Sequence, residues 1–170
     1  MINALFAVDA NGGMGFNGTM PWPHNSADLK NFKELTTGHV VVMGRRTWDD
    51  KNMPKPLKGR TTYVATHSPF LEHTAVISGD ISAELLKLES QHPDKIIWVV
   101  GGPELLEQCH NVFDKLHLTH YKGSFKIDTR INLRKFLSGW EAKSAYADPE
   151  NNFTTVVYES LFKRLPSSKS

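Results

Sequence analysis

Three short clusters carry the residue types that chemistry and ligand binding need. The first is Met20-Pro21-Trp22, followed by Asp28 and Phe32. Asp28 falls in the first turn of a predicted helix whose Leu29 and Phe32 are apolar. A carboxylate there gains from the helix N-terminus, yet loses water if it turns inward. Two readings stand: an ordinary helix-start acid, or a desolvated acid aimed at a ligand. The second cluster, Gly44-Arg45-Arg46-Thr47-Trp48, directly follows the apolar run Val40–Met43. A strand that ends in glycine and opens a helix offers free backbone N–H groups to an anion. Two arginines add the charge-assisted hydrogen bonds that phosphate prefers, although the same residues would also make a solvated basic turn. The third cluster, Val100-Gly101-Gly102-Pro103-Glu104, repeats the order of strand, glycine and helix. Its glycines let a ligand approach the backbone closely, but it is not the GxGxxG dinucleotide fingerprint. Two such turns in one small domain say more than either alone, because open sheets bind ligands beyond strand C-termini.

The elements that must position these clusters follow from hydrophobic periodicity. Ile2–Val8, Val40–Met43, Thr61–Thr66, Ala75–Ile77, Ile96–Val100, Leu116–His120 and Phe153–Tyr158 have the length and punctuation of strands. Val40-Val41-Val42-Met43 and Ile96-Ile97-Trp98-Val99-Val100 do not alternate with polar residues, which suits strands buried on both faces of a parallel sheet. Helices are predicted over Ser26–Leu35, with Ser26 as cap, over Ser82–Leu88, and over Pro103–Cys109, where proline opens the helix. Strands alternating with helices predict an α/β fold with a mostly parallel central sheet flanked by helices. Leu116–His120 and Phe153–Tyr158 flank a long loop-rich stretch, which predicts an antiparallel C-terminal edge. One domain over residues 1–165 is expected, with a frayed tail at 166–170.

Composition narrows the function. A chain of 170 residues, 39% hydrophobic and 22% charged, buries a core without staples and is neither disordered nor membrane-like. A lone Cys109 excludes an internal disulfide and fits a reducing compartment. The N-terminal run lacks a basic n-region and is too short for a leader or a membrane span, so a cytoplasmic protein is expected. A net charge of +2 argues for neither nucleic acid nor membrane partners. The eight histidines are scattered, and His117 and His120 would fall on opposite faces of a strand, so no metal site is expected.

The clusters, taken in order, resemble dihydrofolate reductase over nearly the whole chain. The resemblance runs through Ala7, Met14-Gly15, Met20-Pro21-Trp22, Asp28 with Phe32, and Val42-Met43-Gly44-Arg45-Arg46-Thr47-Trp48. It continues through Pro56-Leu57-Lys58-Gly59-Arg60, Val100-Gly101-Gly102, Leu118-Thr119-His120, Asp128-Thr129 and Tyr158-Glu159. Any one motif is short, but their order and spacing are specific, and they favour the ligand-facing reading of Asp28.

This resemblance implies a reductase that uses NADPH to convert dihydrofolate to tetrahydrofolate, in support of one-carbon metabolism and thymidylate synthesis. Asp28, Trp22 and Thr119 are implied as catalytic. Asp28 would hydrogen-bond the pterin amino group and adjacent ring nitrogen, with Thr119 linking that carboxylate to the substrate. Leu5, Phe6, Ala7, Leu29, Phe32, Leu57 and Val100 would wall the substrate pocket, and Arg60 would grip the α-carboxylate of the glutamate tail. On the cofactor side the resemblance implies Ala7, Met14, Gly15, Thr19, Met20, Val100 and Thr129 near the nicotinamide and its covering loop. Gly44, Arg45, Arg46 and Thr47 would bind the pyrophosphate and 2′-phosphate, Thr66 and His67 the adenosine. Gly101-Gly102, joined by a cis peptide in the family, would complete the set with Glu104, Leu105 and Leu106. The segment 15–22 matches the family's mobile loop, and no metal is implied.

Four departures stand out. Leu106 replaces a tyrosine common in relatives, and Glu104 an arginine found in some. About two extra residues lie in Lys51–Pro56, and Phe6 is bulkier than usual. A monomer that binds antifolate inhibitors is expected. The alternatives are a same-fold reductase of a riboflavin-pathway aminopyrimidine and a catalytically silent binding scaffold. The Met20-Pro21-Trp22…Asp28…Phe32 segment and Arg60 favour folate over the first. Asp28, Thr119 and Gly101-Gly102 speak against the second.

Overall fold

A computed structural model describes residues 1–55 and 57–162 of the chain. Pro56 and the tail at 166–170 lie outside the described residues. The chain opens with β1 (Ile2–Val8) and the short β2 (Gly13–Gly15), then α1 (Ser26–Thr36), β3 (Val40–Gly44) and α2 (Arg45–Asp49). Next come β4 (Thr61–Ala65), β5 (Ala75–Ile77), α3 (Ile81–Gln91), β6 (Ile97–Val99) and α4 (Pro103–Gln108). The last third holds β7 (Lys115–Tyr121), β8 (Thr129–Arg130), α5 (Leu133–Phe136), β9 (Trp140–Asp148) and β10 (Phe153–Ser160).

Eight strands form one sheet in the order β5-β4-β3-β6-β1-β7-β10-β9, and β2 pairs with β8 in a separate ribbon. All pairings from β5 to β7 are parallel, and β10 joins β7 and β9 antiparallel. The α/β class, the parallel body and the antiparallel C-terminal edge are as the sequence predicts. The stretch read as loop-rich differs, because it holds β8, α5 and the nine-residue β9. The helix cap also differs: Asn25, not Ser26, caps α1, its side chain accepting the Asp28 backbone N–H at 3.1 Å.

The uninterrupted apolar runs become strands covered on both faces. Val40, Val41, Val42 and Met43 are fully buried, as are Ile97 and Val99. Side chains alternate across the sheet. Val40 and Val42 join Ile2, Ala4, Phe6 and Val8 in the main core under α3 and α4, with Leu85, Leu88, Leu105 and Leu106. Val41 and Met43 point the other way, to Trp48, Leu57 and Val64. Because β1, β3, β4, β6 and β7 run parallel, their C-terminal ends meet at one edge. Val8, Gly44, Ala65, Val99 and Tyr121 mark that edge, and the three sequence clusters follow it or lie beside it.

Candidate active site

A cleft of about 1190 Å³ runs along this edge. At one end lie Asp28, Leu29 and Phe32 of α1, Leu57 and Arg60 of the segment before β4, and Thr119 of β7; Trp22, Leu5 and Ala7 join them. At the other end lie Gly44, Arg45, Arg46 and Thr47, with Thr66, His67, Glu104 and Leu105. Val100, Gly101 and Gly102 are shared wall, and Met14, Gly15, Thr19, Met20 and Thr129 form a rim.

One predicted position departs from the expectation. Leu106 is fully buried in the core and does not line the cleft, because the helical turn carries it inward from Leu105. Phe6 borders the cleft, but its ring packs edge-on against Phe136, 5.5 Å between centroids, on the core side of β1. Leu5 and Ala7, on the opposite face of the strand, line the cleft beside it. Residues without a sequence expectation also line the cleft, among them His24, Asn52 and Gln108.

Asp28 is the carboxylate around which its end of the cleft is built. Register sets Ala7 opposite Thr119 on neighbouring parallel strands, and Thr119 and Tyr121 share a face of β7 two residues apart. The Thr119 hydroxyl donates to Asp28 Oδ1 at 3.2 Å and the Tyr121 hydroxyl to Oδ2 at 2.8 Å. Burial pushes the Asp28 carboxyl above its ordinary value, and the Tyr121 and Thr119 bonds oppose that rise. Burial and the neighbouring Asp28 charge push the Tyr121 phenol up strongly, so it remains a donor. Sequence reading did not single out Tyr121, although strand alternation from Thr119 was signal enough. Trp22 is 6% exposed and stacks on Tyr121, 4.3 Å between ring centroids and 16° from parallel. Its indole Nε1 is buried without a hydrogen-bond partner among the described residues, leaving a donor for a ligand.

Arg60 is braced at the same end. Its Nε donates to Lys58 O at 3.0 Å and one terminal nitrogen donates to the Thr36 hydroxyl at 3.2 Å. A guanidinium has five donors, so several stay available to a carboxylate. Burial lowers its pKa somewhat from the ordinary value without neutralising it.

The glycine end has room and charge for phosphates. The Gly44 N–H donates to Gly101 O at 2.8 Å, tying the ends of β3 and β6 together, and the Gly101–Gly102 peptide is cis. Gly101 has φ +126°, a conformation open to glycine. A Cβ at Gly102 would meet no protein atom within 4 Å, so the space beside its backbone is open. Arg45 is held by Asp49, Nε to Oδ2 at 3.0 Å, and by the Ser68 hydroxyl at 3.0 Å. Over the rim, the Asn17 N–H donates to Asp128 Oδ2 at 3.0 Å, and Asn52 Nδ2 donates to the Thr19 hydroxyl at 2.9 Å.

Comparison with known proteins agrees with this geometry. The dihydrofolate reductase family model matches residues 1–164. A dihydrofolate reductase type 9 of Escherichia coli is 31% identical over 174 residues, covering 99% of this chain and 96% of that protein. The dihydrofolate reductase of Bacillus subtilis strain 168 is 30% identical over 172 residues, covering 100% and 98%. The solved structure of the Enterococcus faecalis enzyme, complexed with NADP(H) and RAB-propyl, superimposes with a TM-score of 0.77 at 27% identity, over 94% of this chain and 96% of that one. The riboflavin-pathway alternative is not favoured by these relatives. With fold, cleft and relatives in agreement, the chain belongs to the dihydrofolate reductase family.

Proposed function

We propose that this enzyme, an NADPH-dependent oxidoreductase of its family, reduces 7,8-dihydrofolate to 5,6,7,8-tetrahydrofolate with Asp28 promoting protonation of the pterin. One observation carries the assignment of that role. Asp28 is an acid drawn partly out of water, held by two hydroxyls, in the same cleft as two glycine-ended strands. When bound, NADPH would supply a hydride to the pterin imine carbon, with the adjacent ring nitrogen gaining a proton.

The chain's own groups supply alignment and charge. Asp28 accepts from the pterin amino group and ring nitrogen, and its negative charge stabilises the protonated ring; solvent relays the proton. Thr119 orients the carboxylate, and the unpartnered Trp22 N–H gives the polar end of the ring a further donor. Leu5, Leu29, Phe32 and Leu57 exclude water from the ring, while Arg60 holds the carboxylate tail. Gly44, Arg45, Arg46 and Thr47, with Gly101 and Gly102, would hold the cofactor's phosphates, and Thr66 and His67 its adenosine. The open space at Gly102 and the paired arginines are what fit this group to the cleft. Family membership extends the reading to a cytoplasmic monomer that serves one-carbon metabolism and thymidylate synthesis and binds antifolates. No helix among the described residues is long and apolar enough to cross a membrane.

A steady-state assay with NADPH and dihydrofolate tests the activity, with NADH for comparison. Turnover with NADPH, and little with NADH, is expected. Absence of dihydrofolate-dependent NADPH oxidation would overturn the reading.

A further inference from the structure

We propose that Tyr121 is a positioning residue for Asp28: its hydroxyl clamps Oδ2 while its ring is wedged between Trp22 and Phe153, leaving each carboxylate oxygen one acceptor direction for the substrate. This rests on the reading of Asp28 given above and deepens it.

The geometry is specific. An ionised carboxylate has about four acceptor directions over two oxygens. Thr119 takes one on Oδ1 and Tyr121 one on Oδ2, at 3.2 and 2.8 Å. The remaining direction on each oxygen matches a pair of adjacent N–H donors on a planar ring, as an aminopyrimidine presents. Without Tyr121 the carboxylate keeps one protein bond and is free to rotate about it. The phenol cannot drift, because Trp22 stacks on its ring at 4.3 Å and Phe153 packs at 5.8 Å and 55°. Trp22 closes the segment 15–22 that rims the cleft, so Tyr121 links that segment physically to the acid.

Other charged groups of the cleft do not take this role. His24 from the preceding loop, Lys33 of α1, Arg60, and Arg45 and Arg46 line the same cleft. Among the described residues, the side chains that hydrogen-bond the Asp28 carboxylate are Thr119 and Tyr121. Burial, then Tyr121, then Thr119 set its acidity, so the tyrosine is the larger of the two opposing influences.

The experiment uses the whole enzyme as Tyr121→Phe, which keeps the ring between its neighbours, and as a 3-fluorotyrosine replacement, near-isosteric and a stronger donor. The Asp28 carboxyl is titrated by carbon-13 NMR, and kcat/KM for dihydrofolate is followed against pH. The midpoint is expected to rise in Tyr121→Phe and fall with fluorotyrosine. The acid limb of the pH profile moves with it, and kcat/KM near neutrality falls about ten-fold in Tyr121→Phe. An unmoved midpoint in both proteins overturns the inference, as does a moved midpoint with parental kinetics at every pH. Should Tyr121→Phe fail to fold, the fluorotyrosine protein decides by the sign of its shift. Asp28→Asn, assayed alongside, separates the two ideas: parental turnover there defeats the role of Asp28 itself, while the NMR midpoint tests the clamp without turnover.

Discussion

Replacing Asp28 with asparagine keeps the side chain's size and removes its charge, and it should move activity and stability in opposite directions. Two unit charges about 4 Å apart, at the effective dielectric of a half-buried site, interact by about 4 kcal/mol. That is the scale of help a carboxylate at Asp28 gives a protonated pterin, so kcat/KM near pH 7 should fall about 10²- to 10³-fold. The deficit should shrink as pH falls, because solvent then protonates the pterin without assistance. Stability responds the other way. The folded-state pKa of Asp28 is raised, so the folded protein binds more proton than the unfolded chain above pH 3.8. The contribution of this group is therefore complete below that pH and is lost as pH rises through the folded value. The Asp28→Asn protein loses nothing over that range, and its melting temperature at pH 7 should equal or exceed that of the parent. Steady-state kinetics from pH 5 to 9, with calorimetry on the same samples, measures both. A pH-independent kinetic deficit, or a large loss of melting temperature, would refute the reasoning.

Arg60→Ala should raise KM for dihydrofolate about ten- to a hundred-fold with KM for NADPH unchanged, the cost of a lost hydrogen-bonded ion contact; equal effects on both ligands would contradict the placement. Arg46→Gln should reduce the NADPH over NADH preference about ten-fold by removing a charge-assisted phosphate contact, read from the ratio of kcat/KM values. Gly12→Ala combines a φ of +75° with a Cβ driven into the Ile131 carbonyl oxygen. It should cost at least about 2 kcal/mol, seen as a lower midpoint in urea. Burial and Lys115 push the His117 imidazole down to about 4, so the unfolded chain gains a proton below pH 6.5 that the folded protein refuses. Stability should fall by up to about 3 kcal/mol from pH 6.5 to 4, and His117→Gln should flatten that part of the urea-midpoint profile.

What could be read from the sequence follows from how each element is solvated. β1, β3 and β6 are covered on both faces, so their apolar runs announce them. β9 is the reverse case. Its Glu141–Ala147 segment is exposed, with three small alanines, and it exists because β10 offers a pairing edge. Such a strand leaves no apolar pattern to detect. β2 and β8, three and two residues long, are too brief for any periodicity. At the site, the residues expected from the short motifs converge on the cleft, Leu106 apart, including pairs far apart in sequence such as Asp28 and Thr119. Leu106 departs because the helical period turns it toward the core, a one-residue distinction that motif matching passes over. Tyr121 went unread for a related reason. Alternation from Thr119 gives its face of the strand, but its role lies in a hydroxyl contact with Asp28, 93 positions away in the chain.

The exposed margin of β9 bears on how the protein behaves in concentrated solution. A nine-residue strand whose outer side pairs with no other strand among the described residues is a natural template for another chain's strand. Here Lys143 and Glu141 pair along that margin at 3.2 Å, and a register shift at Val157/Tyr158 in β10 bends the hairpin behind it. A charged rim on a bent support is a poor surface for edge-to-edge growth. The sheet therefore ends where the fold requires it to end, and crowding does not readily extend it.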